Sequence, residues 1–341
     1  MKKVYSLVTA IIIFILLILI LYNPKICLNS AVYGLVLCGR VIIPSLYPFT
    51  FCILFILKSG TLNYLRFLNK LTIKTLKLSS SMFAIFILSL IGGYPLGAKM
   101  LNDSQISNKN AQVMLNYCIN AGPAFVILTV GNQIFSSNKI GVLLFISHIL
   151  PSFLMAFLYR NKIEIELVNN QNKTINIINN FVTSASDSAS SVISICGFVI
   201  LFSVICSYVN SFEFLAPLSL VLEITNAINQ TRNIYIISFL LGFGGVCVWC
   251  QIFSLFKGQK INFLSFFINR VLHGGISTII IFILIKVFKI SVSTLSNGKI
   301  FTSSPFFQGQ SIGISLIITG ILLIISLSNK NFAGNLLKDV V

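Results

Sequence analysis

Charge is scarce in this chain, and negative charge scarcer still. Only 9% of the 341 residues are charged, and 7 Asp and Glu stand against 24 Lys and Arg. Soluble domains carry about a quarter of their residues as charges, so that class is excluded. Histidine is nearly absent, with 2 in the chain. No nucleophile–base constellation, metal-ligating cluster or Walker A string is present, and Gly242-Phe-Gly-Gly245 lies inside an apolar run rather than between a strand and a helix. Catalysis, ATP hydrolysis and a bound cofactor or metal therefore have no support. The 8 cysteines lie mostly within apolar runs, where a thiol behaves as a small hydrophobe, and no disulfide framework emerges. Cys247-Val-Trp-Cys250 has redox or metal spacing. It lacks a neighbouring His or carboxylate to make the thiols reactive.

What remains is hydrophobic. With 56% apolar residues and a mean hydropathy of +0.95, the chain reads as an all-α polytopic membrane protein with about nine apolar segments, not all of which need cross. The net charge of +17 would point to nucleic acid in a soluble protein. Here the basic residues lie mainly between apolar runs, as the positive-inside bias requires, so the partner is the bilayer and not nucleic acid.

Lys2 and Lys3 precede an apolar run from Val4 to Tyr22, read as a retained membrane anchor over 1–24 with a cytoplasmic N-terminus. The next span, Val32 to Leu57, carries Arg40 and a prolyl distortion at Pro44 and Pro48. Lys58 to Lys77 alternates basic residues with leucines, which fits either a basic amphipathic helix on the cytoplasmic face or a solvated loop. The Asn- and Ser-rich stretch 161–190 divides two candidate transporter halves, 25–160 and 191–290. A last span and tail fill 291–341. A weak internal repeat pairs Leu88-Ser-Leu-Ile-Gly-Gly93 with Leu240-Leu-Gly-Phe-Gly-Gly245. Paired Gly- or Pro-interrupted segments in two halves are the pattern of a secondary-transporter site at the bilayer midplane.

The chain is organised around Ile91-Gly-Gly-Tyr-Pro-Leu-Gly-Ala-Lys99. Two glycines and a proline break the helix begun at Met82. In hydrocarbon, irregular backbone survives only inside protein or beside a wet cavity, so the break is either a packing kink or the floor of a site. Candidate binding residues are Gly92, Gly93, Tyr94, Lys99, Asn120, Glu223, Asn226, Gly244, Gly245 and Arg270. Glu223 is a carboxylate in an apolar stretch, and either faces a cavity or lies wet at the interface. Arg270 either points inward or snorkels out. Lys99 and Asp103 form either a surface pair or a charge offered to an anion. His148 and His273 read as core residues.

Gly92-Gly-Tyr-Pro-Leu-Gly-Ala-Lys99, Asn120-Ala-Gly-Pro123, Leu222-Glu-Ile-Thr225 and the second Gly-Gly pair resemble the YlbJ-type sporulation integral membrane proteins. Asn226 departs from the glycine expected close behind Thr225. The resemblance implies a Gate, or nucleoside-recognition, domain, endospore formation, and movement of dipicolinate across the mother-cell-derived membrane. Its alternatives are a nucleoside solute, bound through Glu223 and Asn226, and a non-transporting scaffold for spore assembly. Homo-oligomers or other sporulation membrane proteins are the expected protein partners.

Overall fold

Helices make up every regular element of the computed structural model among the residues it describes, which are 2–104, 106–166, 176–256 and 261–290. Helix α1 (Lys2–Tyr22) stops at Asn23, whose side chain caps α2 (Pro24–Leu37) with a proline in its first turn. There the missing N–H removes nothing the helix needs. A widened π-type turn, Cys38–Ile42, joins α2 to α3 (Ile43–Lys58). Pro44 and Pro48 withdraw donors from this stretch, and the wider turn takes up the mismatch. Pro24–Lys58 is long and apolar enough to cross a membrane.

The basic stretch follows a course between the two expected forms. A 3-10 stretch, Thr61–Leu68, leads into the short α4 (Asn69–Leu76), and Lys77 turns left-handed at φ 56°. Helix α5 (Ser80–Gly92) then departs at 74° to α4. Past the first Gly-Gly come α6 (Tyr94–Asp103) and α7 (Asn108–Leu115). Irregular, buried backbone fills 116–122 before a π-helical stretch, Ala124–Ile134, and α8 (Asn138–Tyr159).

Helix α9 (Ile177–Asn210) includes 177–190 of the polar stretch. Then come α10 (Ala216–Leu222), α11 (Ile224–Gln230), α12 (Ile234–Phe243), α13 (Gly245–Leu255) and α14 (Phe263–Phe288).

Among the described residues five helical segments meet the length and hydropathy of a span, or six when the bent pair α4–α5 counts as one. The sequence offered about nine segments. Two of them, 111–130 and 214–228, are divided into short pieces, and the stretch 312–327 lies outside the described residues. Helices α2–α3 and α9 run antiparallel. Tyr208 donates to Asn23 O at one end (2.8 Å), and Lys58 pairs with Asp187 at the other (2.6 Å). The main core gathers α5 to α8 and α11 to α14, while a smaller one lies between α2–α3 and α9.

Candidate functional site

Four interruptions of helix meet in the interior. The first is Gly93, at φ +88°, where α5 gives way to α6; this conformation strains any residue with a Cβ. The second is the buried stretch 116–122. The third is Glu223, extended between α10 and α11. The fourth is Gly244-Gly245, at φ +85° and +77°. They touch one another: a Cβ on Gly122 would lie 2.9 Å from Ile91 O, and one on Gly245 would lie 3.3 Å from Val221 O.

Backbone freed at such depth needs partners, and side chains supply them. Tyr94 Oη donates to Leu241 O (2.7 Å), and Trp249 Nε1 donates to Phe243 O (2.9 Å). Ala121 N donates to His148 Nε2 (2.8 Å). Asn120 Nδ2 donates to Tyr117 O (2.9 Å), and its Oδ1 accepts from Ser152 Oγ (2.5 Å).

Arg270 has no exposed surface and does not snorkel. One terminal nitrogen donates to Ile119 O (2.7 Å) and Gly242 O (3.5 Å), the other to Asn116 O (2.5 Å). Among the described residues Arg270 takes part in no ion pair. Its partners include carbonyls at the C-terminal ends of α7 and α12, where the helix dipole is negative and partly compensates a buried cation. Placing that charge in the interior without a carboxylate still costs on the order of several kcal/mol.

Glu223 is 2% exposed, so the wet-interface alternative fails. Its carboxylate caps α11, accepting from Thr225 N (3.0 Å), Asn226 N (2.7 Å) and the Thr225 hydroxyl. A carboxylate that accepts three donors at a helix N-terminus is satisfied there.

Between α6, α9 and α13 lies a polar cleft of about 340 Å³, lined by Lys99, Asn102, Asp103, Ser190, Ser191, Ser194 and Ser254. A narrower pocket shares Lys99, Ser191, Ser194 and Ser254, and reaches Thr50, Pro95, Gln251 and Gly92 at the first break. Lys99 Nζ pairs with Asp103 across 3.3 Å and is the less exposed partner, 16% against 43%. The cleft therefore presents one cation, its tethered anion and a wall of hydroxyls.

Of the residues the sequence singled out, Gly92 and Lys99 line this path. Gly93, Tyr94, Asn120, Glu223, Gly244, Gly245 and Arg270 lie at the interruptions or bond to them. Asn226 adjoins the Glu223 cap through its backbone. Composition hides the cleft serines of α9, which lie in or border a stretch that reads as a polar connector. Ser184, Ser188, Ser191 and Ser194 recur at helical spacing, which is the signal that was available. His148 and His273 are buried as expected, but their rings stand 4.9 Å apart within the polar network.

The chain is 25% identical to the "Sporulation integral membrane protein YlbJ" of Bacillus subtilis (strain 168), over a 359-residue alignment that covers 84% of each chain. No protein-family model matches, and no solved structure matches.

Proposed function

We propose that this chain, as a multi-pass membrane protein of the YlbJ sporulation type, moves or gates a small anionic solute, with dipicolinate as the first candidate. The membrane would be the mother-cell-derived membrane of the forming spore. The observation that carries this reading is the cleft that runs from Asp103 past Lys99 to the break at Gly92. Its one cation is held by a single exposed carboxylate, an exchangeable partner. An arriving carboxylate displaces Asp103 from Lys99 and takes hydrogen bonds from Ser191, Ser194 and Ser254. Two carboxylates on one ring suit a pocket whose donors stand on two facing helices, α9 and α13.

A neutral nucleoside is the weaker reading. Glu223, the acceptor it would need, is engaged in capping α11. A scaffold needs neither a buried cation nor a polar cleft. The test is uptake by purified protein in tight liposomes, with labelled dipicolinate and labelled uridine in parallel. Saturable dipicolinate uptake that exceeds uridine supports the proposal. Uridine uptake alone moves the assignment to nucleosides, and uptake of neither moves it to the scaffold.

A further inference from the structure

Hydrogen-bond bookkeeping around Arg270 leaves a surplus of one kind. Ala121 N donates to His148 Nε2. That nitrogen is therefore an acceptor, and in a neutral ring the proton sits on Nδ1. His273 Nε2 faces the carbonyl of His148 at 2.9 Å, so it carries the proton and leaves Nδ1 to accept from Arg270 at 3.4 Å. Two donors in this cluster, His148 Nδ1–H and Arg270 Nε–H, are buried and without a partner. Unused buried donors are rare and costly. Here they accompany a guanidinium that has no ion-pair partner among the described residues. Two surplus donors beside a positive charge that no carboxylate neutralises match a carboxylate or small oxyanion better than a neutral or cationic group.

We infer that Arg270 and His148 form an inner anion site, shut in this conformation by the carbonyls of Asn116, Ile119 and Gly242. The inference rests on the anion reading above and adds a second station beyond the Lys99 cleft. Every carbonyl on Arg270 belongs to a helix end or to irregular backbone, where its exchange breaks no helix ladder. An anion reaching the guanidinium replaces those carbonyls and releases the second break. Tyr94 joins the stations: its backbone starts α6 at the first break, and its hydroxyl holds Leu241 O at the second.

The protein carries its own reporter. Its 1 tryptophan, Trp249, donates to Phe243 O beside Gly244, so release of that break changes its emission and its quenching by acrylamide. The full-length chain in liposomes is titrated with dipicolinate and with uridine. Dipicolinate is expected to raise the quenching of Trp249, while uridine leaves it unchanged. His148→Gln keeps an acceptor for Ala121 N but displaces the spare donor, and should move the dipicolinate midpoint at least about ten-fold without lowering the thermal midpoint. Arg270→Lys should abolish the response. If that variant fails to insert, His148→Gln carries the test alone. Lys99→Gln should shift the midpoint yet keep the full amplitude, since it acts at the outer station.

Dipicolinate uptake with a silent Trp249 and an unchanged KM in His148→Gln overturns the inner site and leaves the anion reading standing. Absence of dipicolinate uptake in the unaltered protein overturns both.

Discussion

At the scale of single residues the account turns on how each buried or half-buried charge is occupied. Lys99 is held by Asp103 in a partly exposed pair, and such pairs contribute only about 0–1 kcal/mol. Asp103→Asn should therefore free Lys99 and tighten dipicolinate binding by up to about five-fold, while Lys99→Gln removes a charge-assisted bond and weakens it by roughly ten- to a hundred-fold. Binding isotherms on both variants check the opposite signs. Glu223 behaves differently because its oxygens already serve α11. Glu223→Gln should lower stability by about 1 kcal/mol, the usual worth of a cap, with dipicolinate KM unchanged. Lost uptake at full stability would instead make Glu223 a ligand group.

At the scale of elements, the interruptions are packed as tightly as the helices. A Cβ on Gly97 would overlap Cys118 O at 1.8 Å, and one on Gly242 would come within 2.5 Å of Gly274 Cα. Gly97→Ala and Gly242→Ala should each cost about 1–3 kcal/mol in thermal or denaturant unfolding, as overpacking does. Gly275→Ala, with nothing within 4 Å, should be neutral or gain up to about 1 kcal/mol. Replacing Gly92 and Gly93 together by Leu should abolish uptake while leaving the protein inserted. Normal uptake in that variant would make the first break a packing feature.

The breaks at Gly93 and Gly244 were legible in the sequence, because only glycine tolerates those backbone angles inside an apolar run. The break at Glu223 was not. An apolar stretch with one acid reads as a span until the acid is seen to cap a new helix, α11. Arg270 stayed ambiguous for a related reason. Its place about two turns into α14 is compatible with snorkelling, and its carbonyl partners come from positions 116, 119 and 242, which no local pattern connects to it. The α9 serines were concealed by composition, since a Ser-rich stretch looks like a linker until its periodicity is set against a neighbouring helix.

At the scale of the whole molecule, charge and packing place the cleft. Lys58 and Asp187 meet at one end of the antiparallel pair α2–α3 and α9. Arg160 reaches Thr75 O on α4 (3.4 Å), and Lys109 pairs with Glu164. In the orientation we propose, the basic members of these pairs face the cytoplasm, as the positive-inside bias favours. An impermeant thiol reagent applied from outside intact cells should leave a cysteine at Asn69 unlabelled; labelling there would invert the orientation.

Passage of an anion through the Lys99 cleft is open to a test by substituted-cysteine protection. Ser194 lines both the cleft and the pocket that leads to Gly92. Ser194→Cys is placed in a background where the exposed Cys52 is replaced by Ser. A negatively charged thiol reagent should modify this cysteine faster than its positively charged analogue, dipicolinate but not uridine should slow the reaction, and Lys99→Gln should remove both effects. Equal rates for the two reagents, with no protection by dipicolinate, would contradict passage through the cleft.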